Sequence, residues 1–171
     1  YPVKWLARLA MSRPSAAIQL SDLTSADPKF LEARRIYTIP NAAHDEAKRM
    51  KILRSRRMDG EKLNLLYVGT VCEGKGVLVL LHALADAVQA GKKMHLDIVG
   101  SFQPAEFRDD VESYIDASGL KEHVHLWGQQ IGDDKWERFA SADVFCFPSH
   151  YHSEGFPCVL LEAMCFSLPV I

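Results

Sequence analysis

At 171 residues the chain has room for one domain with a sizeable core, and 48% apolar with 25% charged residues is the balance of an ordinary globular protein. Its net charge of -2 argues against a nucleic-acid-binding surface, and no run reaches the roughly 20 apolar residues that span a bilayer. Cys72, Cys146, Cys158 and Cys165 are scattered through apolar stretches, which reads as buried thiols of a cytoplasmic protein rather than a disulfide framework.

Residues 1–13 place Val3, Leu6, Leu9 and Ala10 at helical spacing with Lys4, Arg8 and Arg13 between them, which predicts a packed helix with a wet basic face. Such a helix can also lie on a membrane surface, so peripheral membrane contact is a second expectation. A short strand is expected at 16–20, and a turn with a short helix over 21–35. A strand opens at Ile36 and is stopped by Pro40. The basic run 48–57 reads as a solvated helix face, and Asp59-Gly60 as a turn. From Lys62 the pattern is regular. Strands at 63–68, 94–99, 124–127, 143–147 and 168–171 alternate with helices at 76–90, 104–118 and 133–141 and one carrying Glu162. Strands apolar on both faces, separated by helices, predict an α/β fold: a doubly wound, Rossmann-like parallel sheet with a ligand crevice at the strands' carboxyl ends. Because the chain starts at Tyr1 and stops inside a strand, it is expected to be a piece of a longer protein, truncated at both ends.

Chemistry concentrates in two strand-to-helix turns. Gly69 to Gly76 matches the phosphate-loop spacing G-x(4)-G-K, with Lys75 as its lysine, but Gly76 stands where that loop needs a magnesium-binding Ser or Thr. A phosphate-loop hydrolase is therefore disfavoured, while a phosphate met by Lys75 without a metal is not. The second turn runs through Glu154 and Gly155 into a helix with Pro157 near its first turn, where amides and the helix dipole favour an anion. Glu154 reads equally as a helix cap or as a group facing the ligand. Glu162, the only charge beyond Glu154, needs a partner if it is buried. A vicinal diol fits its two oxygens; an exposed stripe is the plainer alternative. Cys146, His150, His152 and Cys158 fit none of the usual zinc-ligand spacings. His82, His95, His123 and His125 read as core or surface residues, and no G-x-S-x-G elbow is present.

Taken in order, these stretches resemble the donor-binding half of retaining GT-B glycosyltransferases of family 4. Ile39-Pro40-Asn41 is similar to that family's interdomain linker. Gly69 with Glu73 to Gly76 resembles its Gly-Arg…Glu-Lys-Gly turn, and Leu126-Trp127-Gly128 the strand end beside the base. Ala142-Asp143 through Pro148-Ser149 resembles its Ala-Asp-Val…Pro-Ser strand. Glu154 and Glu162 enclose seven residues, as in E-x(7)-E, and Leu168-Pro-Val-Ile171 follows in the family's order.

The resemblance implies that residues 1–41 end an acceptor domain and its linker, and that 42–171 bind a nucleotide diphosphate sugar. It implies Lys75 on the pyrophosphate and backbone near Gly128 and Gln129 on the base. Gly155, Phe156, Pro157, Cys158 and Val159 would offer amides to the phosphates and sugar, Glu154 would hold sugar hydroxyls, and Glu162 the ribose diol. No metal and no other cofactor is implied. The acceptor, a glycan or lipid-linked hydroxyl, would come through the missing N-terminal domain, so the isolated piece is expected to bind donor without turnover. Three positions depart from the pattern: Thr70 for the arginine beside Lys75, Pro157 for a glycine, and Ser167 for the glycine before Leu-Pro-Val-Ile. Thr70 is what keeps a non-catalytic nucleotide-binding domain as an alternative.

Overall fold

The computed structural model describes residues 14–21, 33–43, 62–151 and 154–171. The expected helix at 1–13, the basic run 48–57, the turn at Asp59-Gly60 and most of 21–35 lie outside the described residues. The chain divides into two compact units: Tyr1–Ala42 with Ser153–Cys158, and Ala43–His152 with Val159–Ile171.

In the first unit, β1 (Ala17–Gln19) and β2 (Ile36–Thr38) pair in parallel, Ala17 opposite Ile36 and Gln19 opposite Thr38. The amide of Ile39 adds one more bond to the Gln19 carbonyl, 2.9 Å, before Pro40, which has no N–H to give, ends the ladder. Asn41 then donates through Nδ2 to the carbonyl of Phe156, 2.8 Å, pinning the stretch around Phe156 to the segment after β2.

The second unit is built on a four-stranded parallel sheet, in the order β5 (Val124–Gly128), β4 (Met94–Val99), β3 (Leu63–Val68), β6 (Val144–Phe145). Side chains of β3 alternate between two cores, as a strand buried on both faces must. Leu65 and Tyr67 pack with Leu81 and Leu84 of α1 (Val77–Gln89) and Val111 and Ile115 of α2 (Phe107–Ala117). Leu66 and Val68 face Trp136 and Phe139 of α3 (Gly132–Ser141) and Ala163 of α4 (Cys158–Cys165), beside Phe166. Two helices on each face make the sheet doubly wound, as expected.

Two expected strands come out shorter. The fourth is only Val144–Phe145: at its start Asp143 donates its amide to the Asn64 carbonyl, 2.8 Å, and accepts from the Asn64 amide through Oδ2, 2.9 Å, and past its end the Cys146 amide still donates to the Leu66 carbonyl, 2.7 Å. The fifth is a single parallel bridge, Phe145 with Val170, flanked by a bond from the Phe147 amide to the Ile171 carbonyl, 2.7 Å. Helix ends also shift by a residue or more; α2 begins at Phe107 rather than at Pro104.

Candidate functional site

The turn after β3 is shaped by its backbone. Thr70 gives its carbonyl to the Tyr67 hydroxyl, 2.8 Å, and Val71 is buried against a bridge to Phe102. Glu73–Lys75 form one 3-10 turn, and Gly76 takes φ +73 before α1 begins. A Cβ on Gly76 would collide with the carbonyl oxygen of Pro148. The position that should hold a magnesium-binding hydroxyl therefore has neither the backbone conformation nor the space for a side chain. The segment after β6 lies over this turn: the His150 amide donates to the Gly74 carbonyl, 3.1 Å, and the Tyr151 ring sits 5.1 Å from Lys75 Nζ. Lys75 itself is half-buried.

At the end of β5, the Gly128 carbonyl accepts from the Gly100 amide, 2.8 Å, and Gln129 is exposed. Gln130, which no motif singles out, donates to the Trp127 carbonyl, 3.0 Å. Trp127 Nε1 donates to Asp97 Oδ1, 2.8 Å; His95 Nε2 stands 3.4 Å from the same oxygen, and the Arg138 guanidinium lies 4.0 Å from the indole centroid. Burial alone would push the Asp97 carboxyl up. The hydrogen bonds from His95 and Trp127, with the charges of His95 and Arg138, outweigh it and hold the group below the ordinary carboxylate value.

Glu154 to Cys158 belong to the first unit, while Thr70, Lys75, Gly128, Gln129, Val159 and Glu162 belong to the second. Pro157 directly precedes α4 rather than lying inside its first turn. Gly155 and Cys158 are exposed, and Glu154, Phe156, Pro157 and Val159 are half-buried.

Glu162 is 3% exposed, the one buried charged residue among those described, which removes the exposed-stripe reading. It is not isolated in its surroundings. Lys135 of α3 donates from Nζ to Glu162 Oε1 at 2.7 Å, with its ammonium 4.7 Å from the Trp136 ring centroid and 5.9 Å from that of Phe139. Glu162 Oε2 is buried with no hydrogen-bond partner among the described residues. The sequence did carry a signal for Lys135: it stands four residues before Phe139, so it shares that helix's apolar face.

Cys146 lies buried on the segment after β6, and burial pushes its thiol up to about 11, so it is a neutral S–H near pH 7. His150 is exposed and His152 lies outside the described residues. Among the described residues no three His, Cys, Asp or Glu side chains converge to hold a metal ion. His82 binds the Tyr114 hydroxyl, 2.8 Å, and His123 Nδ1 the Met94 carbonyl, 2.9 Å. No helix among the described residues is long and apolar enough to cross a membrane.

The family model described as glycosyl transferases group 1 matches residues 48–171. The chain is 28% identical to an alpha-D-kanosaminyltransferase of Streptomyces kanamyceticus, over 98% of this chain and 45% of that protein. It is 35% identical to a phosphatidyl-myo-inositol mannosyltransferase of Mycobacterium leprae, over 63% of this chain and 27% of that one. The chain thus spans less than half the length of these relatives. Among solved structures, it superimposes on Anabaena HepE in complex with UDP and glucose with a TM-score of 0.71 at 20% identity, covering 98% of this chain and 47% of HepE. At that identity the likeness is one of fold, and it is the GT-B fold.

Proposed function

The chain belongs to the glycosyl transferases group 1 family, and on that premise we propose that it is the donor-binding part of a retaining glycosyltransferase. The protein carrying it moves a sugar from a nucleotide diphosphate sugar to a hydroxyl of a glycan or lipid-linked acceptor. The relatives named above transfer kanosamine or mannose, and HepE was solved with UDP and glucose, which supports a nucleotide-linked hexose as donor class.

The observation that carries the reading is Glu162. A buried carboxylate with one oxygen ion-paired and the other unpartnered among the described residues has an acceptor left for a hydroxyl donor, and an orphaned buried acceptor costs about 1–3 kcal/mol until one arrives. A ribose hydroxyl supplies that donor. Oε2 is closed to solvent as it stands, so donor binding requires its cover to move. Lys75 meets the pyrophosphate and steadies the charge that grows on it as the glycosidic bond breaks. The backbone of Gly128 and Gln129 borders the base. Glu154 and the amides from Gly155 to Val159 serve the transferred sugar and the phosphates. The step needs no metal, since the lysine and helix-start amides take the part that magnesium plays beside a phosphate-loop hydroxyl. On this reading the acceptor is met by other parts of the protein, and the chain alone binds donor without turning it over.

Calorimetric titration of the purified chain with UDP, GDP and ADP and their glucose or mannose conjugates tests this reading. At least one is expected to bind, with Glu162→Ala and Lys75→Ala each weakening it about tenfold or more, the effect of losing a charge-assisted contact. Binding of none, or binding indifferent to both substitutions, overturns it. Magnesium-dependent release of phosphate from ATP or GTP would point instead to a hydrolase, which Gly76 argues against.

A further inference from the structure

We infer that Lys135 is a positioning residue for nucleotide recognition: it holds Glu162 Oε1 and so fixes the carboxylate with Oε2 turned toward a ribose hydroxyl. The inference rests on the donor-site reading above and adds a residue that neither the sequence nor that reading assigned.

The geometry is specific. Glu162 has a side chain 5% exposed and Lys135 one 19% exposed, so the 2.7 Å contact is a largely desolvated ion pair rather than a surface one. Without that contact the carboxylate would be free to rotate, with two buried oxygens rather than one left unpartnered among the described residues. Lys135 on Oε1 sets its orientation. The ammonium spends one donor on Oε1 and faces two aromatic rings within 5.9 Å, while Oε2 has no partner among the described residues. Of the three buried side-chain atoms without partners among the described residues, the other two are ring nitrogens of His95 and Trp136. Glu162 Oε2 is the one carrying formal charge. Replacing the ion pair with apolar residues would cost the fold little and often stabilises such a site. Its presence is therefore better explained by a ligand than by stability.

The test compares UDP and GDP with their 2′,3′-dideoxy counterparts on wild-type chain and on Lys135→Met, Glu162→Gln and the double variant. Wild type is expected to prefer the ribonucleotide by about tenfold or more, as one or two charge-assisted bonds imply. Lys135→Met should lose most of that preference, Glu162→Gln likewise, and the double variant should be no worse than Glu162→Gln alone. If Lys135→Met weakens ribo- and dideoxynucleotide equally, or adds to Glu162→Gln, Lys135 acts on the ligand directly or only on folding, and the inference fails while the donor reading stands. If Glu162→Gln keeps the preference, the ribose role of Glu162 fails. If wild type binds no nucleotide, both fail together. Should Lys135→Met not fold, nuclear magnetic resonance of wild type decides: the Lys135 ammonium and Glu162 carboxylate signals should both move with the ribonucleotide and stay still with the dideoxy form. Signals that ignore the ribonucleotide, or answer both nucleotides alike, overturn the inference.

Discussion

Single residues show how the departures from the family pattern are accommodated. Ser167, where the resemblance would put glycine, keeps a glycine-like backbone: the serine takes φ +56, in the left-handed region. Returning it to glycine relieves a Cβ clash but frees the unfolded chain, so Ser167→Gly should stabilise by a net of about 0.5–1 kcal/mol, read from urea unfolding. Gly76 is the opposite case. Gly76→Ser meets both the positive φ and the Pro148 carbonyl, and should destabilise by roughly 2–4 kcal/mol without creating a magnesium-dependent hydrolase, measured by unfolding and phosphate release. The thiols make a third contrast. Cys146, buried and pushed up to about 11, should resist iodoacetamide in the folded chain at pH 8, while exposed Cys158 reacts; urea should abolish the difference, as mass mapping would show.

At the scale of elements, the tie between β4 and β5 is electrostatic as well as backbone. Asp97 is held below the ordinary carboxylate value, so its contribution is fully present above the unfolded value of about 3.8 and is lost as pH falls through the lower folded value. Asp97→Asn should therefore cost roughly 1–3 kcal/mol near pH 7, with wild type and variant converging below about pH 4 in pH-dependent unfolding curves. The strands and helices of the second unit were legible because Leu65 and Leu66 must point to opposite cores, which forces an unbroken apolar run. The shortness of β6 was not legible. Asp143 sits inside an apolar run and looks like one more strand residue until its bonds to Asn64 are seen. The Lys135–Glu162 pair was hidden for a related reason: it joins residues 27 apart, and a single helix pattern shows which face a lysine shares but not which carboxylate it meets.

For the molecule as a whole, a donor that binds the folded chain should raise its thermal midpoint by mass action. At about one hundred times its Kd the gain is about 2.7 kcal/mol, visible as a shift of roughly 5–10 degrees with UDP or GDP, and a tenfold loss of affinity in Glu162→Ala should cut it to about half at the same concentration. The fold class and the turns that carry the candidate site were readable from residue order, because a parallel sheet places every strand-to-helix turn at one edge. The grouping of Ser153–Cys158 with the first unit was not, since it depends on contacts between residues more than a hundred apart, such as Asn41 with Phe156.

The parallel pairing also sets an order of events at the ribosome. Leu66 in the middle of the sheet finds β4 soon after it is made, but its other neighbour, Phe145, emerges 79 residues later (145 less 66). Until then an apolar strand edge is left open to any passing chain, and a nascent protein paused before residue 144 is the species a chaperone would have to shelter.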